Sequence, residues 1–158
     1  MKYLGDYQHV QSQLRNALLK THTQTPSADD IMRASIPYLD AFIEEALRYS
    51  RTATGISRVA IVDTEILGHH IPKGTEVFCM NQGPSFLQPP LPVDESSRSS
   101  SSRAAQSRTG EWNEDDVSDF APERWLSSDE NGKPAFNPKA GPNLPFSAGI
   151  RGCFGESL

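Results

Sequence analysis

Ten residues near the end of the chain, FSAGIRGCFG (Phe146 to Gly155), constrain its fold more than any other stretch. Three glycines, Gly149, Gly152 and Gly155, surround one cysteine, Cys153. Glycine allows backbone conformations and close approaches that a Cβ forbids. The stretch reads as a tight loop that presents a single sulfur. A lone cysteine in a glycine-rich turn is usually an inert, buried thiol. Here five specified positions, Phe146, Gly149, Arg151, Cys153 and Gly155, stand in register, and that favours a ligand loop over a chance turn.

The rest of the composition narrows the setting. A length of 158 residues suits one domain or a piece of a larger one. Hydrophobic residues make up only 36%, and 11 Gly and 12 Pro break the chain often, so much of it will lie outside any core. The net charge of -5 comes with no basic stripe interleaved with aromatics, which argues against nucleic acid as a partner. The two cysteines, Cys79 and Cys153, form neither a disulfide framework nor a zinc spacing, and a reducing environment is the default. The first residues, MKYLGDYQHV, carry no signal-peptide core. The longest aliphatic run, Val59 to Val62, is far too short to span a bilayer.

The pattern predicts helices first. Over 6–21, Tyr7, Val10, Leu14, Ala17 and Leu18 recur at helical spacing, with Asp6 as a cap. THTQTPSADD then interrupts, offering Ser27 or Asp29 as a new cap. The strongest helix is 38–50, where Leu39, Phe42, Ile43, Ala46 and Leu47 form one apolar stripe. Glu44, Glu45 and Arg48 fall off it, and Pro37 suits the first turn. From Ile56 to Met80 short β-branched runs predict strands, with Pro72-Lys73-Gly74 as a turn and further turns at Asp63 and Gly68. Cys79, within one apolar run, reads as a small buried hydrophobe. Residues 88–110, QPPLPVDESSRSSSSRAAQSRTG, have almost nothing to bury and read as a flexible insertion, neither strand nor helix. Residues 111–158 read as mostly irregular. The fold class is thus mainly α with a small β region.

The loop's chemistry follows from its residue types. A thiolate bound to haem iron donates electron density that favours O–O cleavage. Gly149 and Gly152 would let the backbone turn beneath a flat macrocycle, and Gly155 would permit close approach after the sulfur. Backbone N–H groups near the sulfur tune its potential. The Arg151 guanidinium suits a haem propionate. Phe146 can keep water from the sulfur. His9, His22, His69 and His70 show no ligand spacing tied to another motif.

FSAGIRGCFG resembles the haem-binding signature of the cytochromes P-450, the haem-thiolate monooxygenases. Two further motifs agree in order. Glu45-Ala-Leu-Arg48 resembles the family's E-x-x-R pair, although an i, i+3 pair alone is usually solvated and contributes about 0.2–0.5 kcal/mol. Phe120-Ala-Pro-Glu-Arg124-Trp125 resembles the family's F-x-P-E-R-[FW] segment. The resemblance implies that Glu45, Arg48 and Arg124 form one buried structural triad on the proximal side of the haem. It implies Phe146, Gly149, Arg151, Cys153 and Gly155 around the cofactor, with Cys153 on the iron. Arg58 sits where the family often has a propionate-binding Arg, though a solvated strand Arg is an equal reading. The serine-rich insertion is similar to fungal members.

The implied whole is a partial cytochrome P-450 fold over residues 1–158, with 88–110 inserted. The family inserts one oxygen atom of O2 into a small organic substrate, drawing electrons from a reductase. A full-length parent is expected at the endoplasmic reticulum membrane, cytosolic face. In the family a long helix over the distal haem face precedes the first helix seen here, and another helix follows the cysteine. Without them the chain alone is expected to be inactive, and no residue is assigned a catalytic role. A haem-thiolate peroxide isomerase or dehydratase is one alternative, and a truncated or wrongly assembled gene product without catalysis is another.

Overall fold

The structure is a computed structural model. It describes residues 2–22, 24–50, 54–109, 111–143, 145, 146, 152 and 153. Among the described residues it mixes helices with three separate two-stranded antiparallel sheets, helix exceeding strand. The chain divides into two compact units, Met1–Tyr49 with Phe120–Ala140, and Ser50–Asp119 with Gly141–Leu158.

In the first unit, α2 (Gln8–Thr21) is the helix expected over 6–21, begun two residues later, and a short α1 (Lys2–Asp6) precedes it. Asp6 closes α1 instead of capping α2; Tyr7 takes the N-cap place and makes no side-chain cap bond. Ser27 caps α3 (Ala28–Arg33) through a reciprocal box with Asp30, satisfying donors that a helix start leaves orphaned. The same serine bonds hold the Asp30 carboxyl below its usual range. The helix α4 (Pro37–Tyr49) begins at its proline, where the missing N–H costs nothing.

The expected one-sided stripe on α4 is corrected. Glu45 and Arg48 are completely buried, whereas Ile43 of the stripe is 46% exposed. The reason is that α4 is packed on more than one side. It meets α2 on one face, and on another the 3-10 turn Pro122–Trp125 and the hairpin of β5 (Leu126–Ser128) with β6 (Pro134–Phe136). That hairpin turns through Asp129, whose Oδ1 accepts the N–H groups of Asn131 and Lys133.

Phe120 is the centre of this unit's core. Its ring stacks on Tyr3 at 4.9 Å and on Tyr7 at 5.0 Å, and meets Phe42 and Tyr49 edge-on at 5.9 and 5.2 Å. Both arrangements suit the quadrupoles of aromatic rings. Val10 and Leu14 of α2 and Tyr38 of α4 complete the buried cluster.

The second unit is built on ribbons. β1 (Gly55–Val59) pairs with a strand at Glu76–Met80, and between them β2 (Thr64–Ile66) pairs with β3 (His69–Ile71); Glu76–Met80 is then β4. The turn at Pro72–Thr75 places Gly74 at φ 87°, a region that favours glycine. Gly55 lies beneath the Phe78 ring, where a Cβ would stand 2.6 Å from a ring carbon. Cys79 is exposed, not buried as expected, because a two-stranded ribbon covers little of either face.

Within 88–110 the expectation of no regular structure is also corrected. A 3-10 turn spans Glu95–Ser97, and α5 spans Ser100–Thr109. No apolar stripe is needed for it. Ser99 Oγ accepts the Ser102 N–H at 3.2 Å as an N-cap bond, and Arg103 donates to the carbonyls of Glu95 and Arg98. Ala104, Ala105 and Gln106 are good helix formers. Further on, the Trp112 indole N–H donates to the Pro142 carbonyl, with its ring against Gly141, where a Cβ would come within 2.6 Å of it.

The packing gives a direct expectation. Phe120→Ala should destabilise the first unit by about 3–5 kcal/mol, since it empties the centre of the aromatic cluster. Met32→Ala, at a side chain 85% exposed, should stay within about 0.5 kcal/mol. Denaturant midpoints of the two variants check this.

Candidate haem-ligand loop and buried carboxylate network

The loop of Phe146 to Gly155 is described at Phe146, Gly152 and Cys153; Gly149, Arg151 and Gly155 lie outside the described residues. The Cys153 N–H donates to the Phe146 carbonyl at 2.8 Å, which draws the two ends of the glycine stretch together. Phe146 is half-buried, and Cys153 is a free, exposed thiol. Such a sulfur is accessible to a flat ligand, as a single axial donor must be. Arg58 stands mid-strand on β1 opposite Val77, exposed, with one guanidinium N–H on the Ser57 carbonyl. A cavity of the second unit, lined by residues including Pro90, Leu91, Arg98, Trp112, Val117 and Pro142, contains none of the residues singled out from the sequence.

The first unit brings Glu45, Arg48 and Arg124 together. Glu45 and Arg48, one turn apart on α4, form a two-pronged pair: Arg48 Nε to Glu45 Oε2 at 2.9 Å and Arg48 Nη2 to Oε1 at 2.8 Å. Arg124 Nε reaches Oε1 at 3.2 Å from the 3-10 turn. Both side chains of the helix pair are 0% exposed, and Arg124 is 6% exposed. Planar guanidinium groups match a carboxylate in this way. The Arg48 guanidinium also lies 4.9 Å from the centre of the Tyr49 ring.

Two further contacts were not read from the sequence. The Ala121 backbone N–H and the Trp125 indole N–H each donate to Glu45, at 2.9 Å. An aromatic after P-E-R was visible, but nothing in a sequence says that its N–H meets a carboxylate 80 residues earlier. Two turns up α4, the Tyr38 hydroxyl donates to Glu123 Oε1 at 2.9 Å. Burial, helped by the Glu123 carboxylate, pushes the Tyr38 phenol far above its ordinary value of 10.0, and burial raises Tyr49 to about 12.

Two expectations follow. Arg48→Ala should cost about 3–5 kcal/mol, because it leaves a buried carboxylate short of its partner. Arg33→Ala, which opens the exposed pair with Asp29, should cost under about 1 kcal/mol. Thermal or denaturant unfolding measures both. The raised phenols fix a sign with pH. A raised folded value favours the neutral form, so this stability is complete below the ordinary tyrosine value and is lost as pH rises through the folded one. Tyrosinate absorbance should therefore show a late phase above pH 10.0 that accompanies unfolding, and Tyr38→Phe should shrink it.

Comparison with known proteins gives these geometries a family. The cytochrome P-450 family model matches residues 1–83, which include Glu45, Arg48 and Arg58. A cytochrome P-450 monooxygenase of Pestalotiopsis microspora is 46% identical over 162 residues, covering 98% of this chain and 28% of that protein. One of Fusarium sporotrichioides is 41% identical over 177 residues, covering all of this chain and 30% of that protein. A third, of Dothistroma septosporum, is 38% identical and again covers the whole chain, with 56% of the relative matched. The chain thus spans between about a quarter and three-fifths of the length of these relatives. Among the described residues, no helix is long and apolar enough to cross a membrane. With its motifs in the family's order and fungal monooxygenases matching it from end to end, the chain belongs to the cytochrome P-450 family.

Proposed function

We propose that this chain supplies the cysteine-ligand side of a haem-thiolate monooxygenase that acts on a small organic substrate. The observation that carries this reading is an exposed, unpaired Cys153 whose backbone is bonded to Phe146 across a glycine-rich stretch. That donor set fits a haem: one accessible sulfur, no competing disulfide, and a neighbouring aromatic.

Each residue then has a task. Cys153 Sγ binds as a thiolate. Phe146 limits water at the sulfur and Arg58 pairs with a carboxylate of the macrocycle, while Gly149, Arg151 and Gly155 are assigned to the cofactor by the resemblance alone. Glu45, Arg48 and Arg124 act as the structural brace that the resemblance implies, joining α4 to the Phe120–Trp125 segment. Bound there, a thiolate-ligated haem supplies the oxygen-activating chemistry by which one atom of O2 enters the substrate. Electrons come from a reductase partner, and the whole protein works at the cytosolic face of the endoplasmic reticulum. Residues 1–158 make up part of one catalytic domain, with 88–110 a surface insertion.

The test is the carbon monoxide difference spectrum of the full-length protein that contains this sequence. Cys153→Ala should abolish the thiolate-type Soret band, and Cys79→Ala should leave it intact. Loss of the band in the Cys79 variant alone would overturn the assignment.

A further inference from the structure

Among the described residues, five donors converge on the two oxygens of Glu45. Oε1 takes Arg48 Nη2, Arg124 Nε and the Ala121 N–H. Oε2 takes Arg48 Nε and the Trp125 indole N–H. The two oxygens are therefore held differently. Arg48, from the same helix, touches both oxygens but ties neither to the Phe120–Trp125 segment. The donor on Oε2 that comes from outside α4 is Trp125. Its side chain is 0% exposed, so water cannot stand in for it.

The same residue reaches onward. The Trp125 carbonyl accepts the Asn137 N–H at 2.8 Å, just beyond β6. The next residue, Leu126, opens β5 opposite Phe136. One side chain and one carbonyl thus join the α4 carboxylate to the β5–β6 hairpin.

We propose that Trp125 is a positioning residue for Glu45, a fourth polar member of the buried network that a phenylalanine at this place would not replace. A Phe ring fills most of the same space but brings no N–H. It would leave Oε2 without its donor from outside the helix, and a buried acceptor deprived of a partner is costly. The inference rests on the haem-side brace reading only for its functional meaning, because the contact itself lies wholly within the first unit.

The test is a proton–nitrogen correlation spectrum of the full-length protein that contains this sequence, labelled at tryptophan. Trp112→Phe and Trp125→Phe assign the two indole signals of this sequence. The Trp125 indole proton should exchange with solvent only as fast as the unit unfolds. Its signal should move on Glu45→Gln while that of Trp112 stays. A Trp125 indole that exchanges like a solvent-exposed one in the unaltered chain overturns the proposal, with no variant needing to fold. Trp125→Phe should lower the folding equilibrium constant by roughly ten-fold or more, the scale of a hydrogen bond to a charged group; a fall under about two-fold overturns it. Neither readout involves haem, so failure here is separate from failure of the Cys153 assignment.

Discussion

A single buried carboxylate organises the first unit. Glu45 is completely enclosed, and burying a charge is expensive unless donors surround it. It has donors from its own helix, from the Ala121 backbone, from Arg124 and from Trp125. All but the Arg48 contacts cross a gap of at least 76 residues in the chain. The network therefore exists only when α4 and the Phe120–Trp125 segment are docked. Such a site adds little net stability against an apolar core of equal size. Phe120, one residue before Ala121, is the centre of the aromatic cluster. Polar register and apolar driving force thus enter through the same short segment.

That division of labour suits a metal-ligand fold. A haem needs one sulfur at the right place and walls that do not drift. In our proposal the loop that carries Cys153 provides the sulfur, while the Glu45 network fixes α4 against the Phe120–Trp125 segment within its own unit. The exposed ribbons of the second unit, with Arg58 and Cys79 on them, carry less packing of their own.

Much of this was legible in the sequence. The apolar spacing at Val10, Leu14 and Ala17 located α2, and Pro37 marked the first turn of α4, which begins one residue before the expected 38. Pro72-Lys73-Gly74 marked its turn, because only certain residues accept the required backbone angles. The failures have physical causes. Periodicity reports which face is apolar, and a helix packed on more than one side can bury a polar face too, as Glu45 and Arg48 do. An insertion poor in apolar residues can still form α5 when Ser99 caps it and alanines follow. Cys79 looked like core because strand runs resemble one another whether a sheet has two strands or six. The Trp125 contact was invisible because hydrogen bonds over 80 residues leave no local pattern.

We propose Cys153 Sγ as the sulfur that binds the haem iron. Iron-edge X-ray absorption of the haem-loaded, full-length protein tests it most directly. The prediction is one sulfur scatterer in the first shell of the iron, absent after Cys153→Ser. A shell of nitrogen or oxygen alone in the unaltered protein, or a sulfur that survives the substitution, would contradict it.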